Sequence, residues 1–164
     1  MLSKTTHPSP PAIVLIGYGN QQHGDDAIGP QIASLVDAMN LSNVKVHGVT
    51  QLTPELSGKL AEADYAIFVK ACKMSDPADV RVTPLQAIGT ETSGSSTPAL
   101  GHSCDPQSLL ALTQSVYGRH PQAWWVEVPA TDFVTGHSPS DLAQQGLPRA
   151  LQEITTLVAQ AAPE

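Results

Sequence analysis

The sequence predicts an α/β fold: a three-layer sandwich in which a mostly parallel, twisted sheet of about five strands carries helices on both faces. Three observations predict it. Ala12-Ile13-Val14-Leu15-Ile16 is a continuous apolar run closed by Gly17, as a central strand buried on both faces requires. Strand and helix periodicities then follow one another in the order βαβαββαβα, which suits parallel strands joined by helical crossovers. Finally, 164 residues are enough to bury one core between a sheet and its helices.

Residues 1–11 hold three prolines after Ser3 and little apolar matter, so they read as a disordered lead-in, with residues 12–164 a single domain. After the first strand, Ala27, Ile28, Ile32, Ala33, Leu35, Val36 and Met39 recur at helical spacing. Pro30 places the start of that helix at about itself. Val44 to Val49 alternates at period two, and Pro54 to Glu62 follows as a second helix with Leu56 and Leu60 one turn apart. Tyr65-Ala66-Ile67-Phe68-Val69 is another buried strand, and Val80 to Thr83 a weaker one. Gly89 to Pro98 has the composition of a surface loop. Asp105-Pro106 supplies an N-cap and a first helical proline, ahead of an apolar stripe of Leu109, Leu110, Leu112 and Val116. Trp124 to Val128 is the last strand. Ser138-Pro139 should cap a short helical turn, and Pro148 to Ala159 should form a terminal helix with Leu151, Ile154, Leu157 and Val158 on one face.

A formal charge of -7 without any Lys/Arg cluster argues against nucleic acid and anionic membranes as partners. Aromatic residues are 4% of the chain, too few for a base-stacking surface. No apolar run approaches the roughly 20 residues of a membrane span, and the first residues are too polar for a signal peptide, so the expected location is cytoplasmic. Cys72 and Cys104 cannot make a disulfide framework and are expected as free thiols.

In an open α/β sheet, ligands bind beyond the carboxyl ends of the strands, where Gly17-Tyr18-Gly19-Asn20 ends the first strand. A dinucleotide fingerprint fails there. After Gly17 and Gly19 the next glycine is Gly24, and Asp25-Asp26 would oppose phosphate charge. The acid pair suits a cation, given a His or a further acid from another strand end. For Asp25 the preferred reading is a helix N-cap, worth about 0.5 to 2 kcal/mol. Asp26 is then the acid that points into the crevice. No Ser or Cys stands in a nucleophile context such as G-x-S-x-G, which disfavours covalent catalysis.

Ile16-Gly17-Tyr18-Gly19-Asn20, the four-residue gap, Gly24-Asp25-Asp26-Ala27-Ile28-Gly29 and Leu100-Gly101-His102 resemble the nickel-iron hydrogenase maturation endopeptidases. The resemblance runs from about Ala12 to Ala159. Gln51 to Leu56, Ala123 to Val126 and Pro129-Ala130 look most like the branch serving the bidirectional, NAD-linked hydrogenase. It implies a peptidase-like domain acting as an aspartyl-type or metal-dependent endopeptidase. Such an enzyme removes the C-terminal extension of the nickel-loaded hydrogenase large subunit, with that precursor as partner. It implies no permanently bound cofactor, the substrate's nickel serving as the recognition element; a monomer is expected. Asp26 and His102 would be the catalytic and metal-contacting residues, and Gln51 and Thr53 would line the substrate groove.

At one position the match breaks. Where the family places its third metal-contacting acid, at the end of the third core strand, this chain reads Val69-Lys70-Ala71. An ammonium has no lone pair to give a metal while it keeps its proton, and a neighbouring carboxylate favours the protonated form. Lys70 is either a solvated strand-end lysine or a side chain that enters the crevice and pairs with Asp26. The second reading is preferred because the strand around it is so apolar. It leaves two functions: a hydrogenase-processing endopeptidase, inactivated by Lys70 if that position must be acidic, or a non-proteolytic relative that binds the large subunit without cleaving it. His102, Cys104 and Cys72 form a further, weaker set of soft-metal donors. The remaining histidines read as surface or packing residues.

Overall fold

The computed structural model describes residues 10–74, 78–87 and 105–161. Its elements are β1 (Ile13–Tyr18), a 3-10 turn (Gly24–Ala27) leading into α1 (Ile28–Asp37), and β2 (Val44–Val49). A second 3-10 turn (Pro54–Leu56) leads into α2 (Ser57–Ala61), followed by β3 (Tyr65–Lys73) and β4 (Arg81–Leu85). The chain closes with α3 (Pro106–Tyr117), β5 (Gln122–Ala130) and α4 (Asp141–Ala161). The five strands lie in the order β2-β1-β3-β5-β4. All neighbours run parallel except β4, which is antiparallel to β5. The expected three-layer, mostly parallel sandwich is therefore the fold observed.

Alternate residues of the strands feed two cores, as the period of two dictates. Ile13, Leu15, Ile67, Val69, Val126 and Val128 meet Ile28 and Ile32 of α1 and Ala150 and Ile154 of α4. Val14, Ile16, Ala66, Phe68 and Ala123 meet Leu60 of α2 and Leu109 and Leu110 of α3. Burying each such large side chain contributes about 1.5–3 kcal/mol. That explains why β1 is apolar throughout, with all six residues buried.

Three local expectations need correction. Helix α1 begins at Ile28, so Pro30 sits inside the first turn, where its missing N–H has no intrahelical partner in any case. The separate turn and terminal helix form one helix, α4, with Pro148 inside it. A proline there costs about 3 kcal/mol. Ala143, Gly146, Ala150, Ile154, Leu157 and Ala161 nevertheless keep one buried stripe across it, and that packing holds the helix together. Its cap is Ser140 rather than Ser138, for Ser140 Oγ accepts the Ala143 N–H at 3.3 Å. In α3 the Asp105 cap is formed, Asp105 Oδ1 accepting the Ser108 N–H at 2.7 Å, but Val116 is 60% exposed and buried Thr113 takes a place in the stripe.

Pro84 lies in β4, an edge strand, where a missing donor leaves no ladder bond unmade. Pro11 and Ala12 are tied down, the first by its carbonyl to Asn43 Nδ2 at 3.0 Å and the second by its N–H to Asp64 Oδ2 at 2.9 Å. Of the expected lead-in over residues 1–11, residues 1–9 lie outside the described residues, as does the loop Gly89 to Pro98. Among the described residues no helix is long and apolar enough to cross a membrane.

Candidate functional site

Strands β1, β3 and β5 run parallel, so their carboxyl ends share one edge of the sheet. The connection after β1 goes to β2 on one side, and β3 lies on the other. This makes the end of β1 the switch point of the sheet. Glycines bring α1 against that end: a Cβ on Gly17 would meet the Gly29 carbonyl, and one on Gly29 the Tyr18 carbonyl. Gly19, at φ 149°, lets the chain turn directly over Asp26, whose Oδ1 would lie 2.9 Å from a Cβ at that position.

Asp26 is thereby held at the mouth of the crevice. Its Oδ2 accepts the Asn20 N–H at 2.6 Å, and its Oδ1 stands 3.6 Å from Lys70 Nζ. Val69 is level with Gly17, so Lys70 emerges from β3 level with the end of β1. Its ammonium lies 5.7 Å from the centre of the Tyr18 ring, within cation–π range. The lysine side chain is 36% exposed and the aspartate 18%, so Lys70 is a crevice residue with one side open to water.

Lys70 is also the register partner of Glu127 on β5, and Glu127 Oε1 in turn pairs with Arg81 Nε of β4 at 3.3 Å. Asp26, Lys70, Glu127 and Arg81 thus form a row of alternating charge along the carboxyl edge. Beneath it Tyr18 is 7% exposed. Its phenol is pushed far above the usual range, chiefly by burial, with the charges of Asp105, Glu127 and Asp26 acting in the same direction. Burial, then the Glu127 carboxylate, also pushes the Cys72 thiol up. Sequence reasoning passed over Tyr18 and Glu127. The available signals were an aromatic between two glycines and a lone acid inside the apolar run Trp124-Trp125-Val126-Glu127-Val128.

The reading of Asp25 as a helix cap is corrected. The turn at Gly24–Ala27 has no side-chain cap. Asp25 is fully buried and faces the β5–α4 loop instead. Its Oδ2 accepts the N–H groups of Thr131 at 2.7 Å and Asp132 at 3.0 Å and the Ser140 hydroxyl at 2.7 Å. Its Oδ1 accepts the Ser140 N–H. Burial alone would raise this carboxyl; the backbone bonds from Ser140, Thr131 and Asp132 and the Ser140 hydroxyl outweigh it and hold the acid below the usual carboxylate range.

The other expected residues are distributed as follows. Gln51 is exposed and Thr53 half-buried on the segment after β2, and neither hydrogen-bonds to Asp26 or Lys70. Beside them an open pocket of about 470 Å³ is lined by Gly19, Asn20, Gln22, Gly48, Val49 and Thr50. A second cleft, of about 310 Å³, includes Lys45, His47 and Lys59 and belongs to the other end of the sheet, since Lys45 is level with Val14. His102 and Cys104 lie outside the described residues. Among the described residues no three His, Cys, Asp or Glu side chains come together as a metal would require.

No family model and no curated protein sequence matches the chain. Solved structures do. An endopeptidase from Escherichia coli superposes with a TM-score of 0.72 at 19% identity, covering 93% of this chain and 95% of that one. The fold is that of the hydrogenase maturation endopeptidases. The hydrogenase maturating endopeptidase HybD from E. coli matches with a TM-score of 0.68 at 18% identity, covering 92% of this chain and 93% of that one. The [NiFe] hydrogenase maturation protease HycI from Thermococcus kodakarensis matches at 0.67 and 19% identity, covering 91% and 93%. At such identities the likeness establishes the fold, and function rests on the site.

Proposed function

We propose that this chain acts in hydrogenase maturation as an endopeptidase-type protein that docks the nickel-loaded large-subunit precursor and removes its C-terminal extension. The observation that carries the reading is Asp26, a carboxylate presented at the switch point of a sheet whose fold is shared with hydrogenase-processing endopeptidases. In this reading the substrate's nickel docks at Asp26 and His102. Gln51 and Thr53, beside the open pocket at the end of β2, select the precursor. A water attacks the positioned peptide carbonyl with Asp26 or the substrate's nickel helping to activate it, and its proton passes to the leaving amine nitrogen as the peptide C–N bond breaks. No resident cofactor is needed, and the protein acts as a cytoplasmic monomer of the type that serves the bidirectional hydrogenase.

The Lys70–Asp26 pair favours a second reading, in which the chain binds the precursor without cutting it. A cation already neutralises Asp26, so a metal must displace the ammonium to use that carboxylate. Incubating nickel-loaded precursor with this chain and with its Lys70→Asp variant separates the two. Shortening of the precursor by the chain as it stands, read by intact mass, supports the endopeptidase, and shortening by Lys70→Asp alone identifies Lys70 as the block on an otherwise intact endopeptidase. Cleavage by the unaltered chain would show that position 70 need not be acidic. Capture of full-length precursor by both chains, with cleavage by neither, would establish the binding role.

A further inference from the structure

Asp25 does not reach the crevice, yet it is the most heavily bonded side chain of the turn that carries Asp26. We infer that Asp25 is a positioning residue: by locking the turn Asn20–Asp26 onto the β5–α4 loop, it fixes the direction in which Asp26 points. Its catalytic weight rests on the proposed role of Asp26; its geometry does not.

Within the turn itself the Asn20 N–H orients the Asp26 carboxylate, and the Gln22 and His23 N–H groups bond back to Asn20, but none of these bonds ties the turn to the body of the fold. The 3-10 stretch Gly24–Ala27 is four residues long and has no side-chain cap, and Asp26 is held locally by the bond of its N–H to the His23 carbonyl at 3.0 Å. The tie to the body of the fold comes from more than 100 residues away in sequence. Four donors from Thr131, Asp132 and Ser140 converge on the Asp25 carboxylate, which has no cation within ion-pair distance among the described residues. The bond is returned, for the Asp25 N–H donates to the Asp132 carbonyl at 2.6 Å. Gly24, at φ 55°, lies so close to that same carbonyl that a Cβ would collide with it. Further out, the Gly136 N–H donates to the Gln22 carbonyl at 2.7 Å, and His23 bridges to Thr135. Asp132 is braced in turn by His137, whose Nδ1 lies 2.8 Å from Asp132 Oδ2.

The two loops therefore form one clasp, closed on both sides of Asp25, and Asp26 leaves it on the crevice side. A buried carboxylate that is satisfied by fixed backbone N–H groups tolerates little rotation, because each lost bond leaves an unpaired polar group in the interior. Its neighbour in a 3-10 turn inherits that restriction. Asn20 N–H to Asp26 Oδ2 and Lys70 Nζ over the Tyr18 ring are the two reporters on the result.

The test uses the full chain and amide-resolved NMR, which needs no precursor. In Asp25→Ala, exchange of the Asn20 amide should speed by about ten-fold or more, and the Lys70 methylene signals should lose their ring-current shift from Tyr18. The Gly118 amide, which donates to the Gln114 carbonyl at the far end of α3, should not change. Asp25→Asn, which keeps an acceptor, should recover part of the Asn20 protection. If Asp25→Ala fails to fold, Ser140→Ala, which removes one hydroxyl donor, decides the matter by a smaller shift at Asn20. Unaltered Asn20 and Lys70 signals in a folded Asp25→Ala, or in Ser140→Ala if that is the chain that folds, would overturn the positioning role. That outcome is separate from any failure of the proposed hydrolysis, which is read on the unaltered chain and Lys70→Asp.

Discussion

Lys70 Nζ and Asp26 Oδ1 stand 3.6 Å apart at the switch point of the sheet, above the face of Tyr18. The pair is partly open to water, so its own contribution is about 0–1 kcal/mol. Reversing the charge at position 70 sets two carboxylates against each other. Lys70→Asp is therefore expected to lower the melting temperature by a few degrees at neutral pH, a loss of about 1 kcal/mol. Added nickel should restore the melting temperature of the variant and leave that of the unaltered chain in place. Calorimetry with and without the metal checks both halves.

The contact between Gly29 and the Tyr18 carbonyl is a steric requirement of the site's floor. Gly29→Ala should cost about 3 kcal/mol or more, because the neighbouring atom is backbone and cannot swing aside. Gly118→Ala is the comparison. That glycine, at φ 78°, has open space around it, so only conformational strain of about 1 kcal/mol should register. Urea denaturation of the two variants measures the difference.

Asp25 is held below its unfolded range by bonds that outweigh its burial, and this fixes the sign of its pH effect. A depressed folded-state value means that its stabilisation is fully present above the unfolded value of about 3.9 and is lost as pH falls through the lower folded value. Asp132, lowered by the Val134 N–H and by His137, acts in the same direction. The chain should lose stability steeply below about pH 4. Asp25→Asn should be less stable at neutral pH and show a shallower acid limb, as followed by denaturant midpoints across the range.

Cys72 is raised by burial first and by Glu127 second, so less of it is thiolate at a given pH than in a free cysteine. Iodoacetamide should alkylate it slowly at pH 8. Glu127→Gln removes the second cause and should speed the reaction about two- to five-fold, with burial accounting for the remaining protection. Peptide-resolved mass spectrometry at Cys72 gives the rate.

The sequence by itself determined the βαβαββαβα order, the central position of β1 and the acid at the end of its turn. Each of these is written in local periodicity or in a run of a few residues. It also singled out Lys70 as a charged residue inside an otherwise apolar strand, since that is a matter of residue type. Tertiary structure decided what no window of sequence contains. It set β4 antiparallel at the edge, because strand direction depends on which neighbour the chain reaches. It carried α4 through Pro148, because a buried stripe against β5 outweighed a local cost. Above all it separated the two adjacent aspartates. Asp25 and Asp26 are neighbours in the chain and look alike in it, but Asp25 finds its donors at Thr131, Asp132 and Ser140, while Asp26 finds its cation on β3. Those partners are brought near only by the packing of β5 and α4 against β3 and α1, so the division between a carboxylate that holds and one that is presented belongs to the fold.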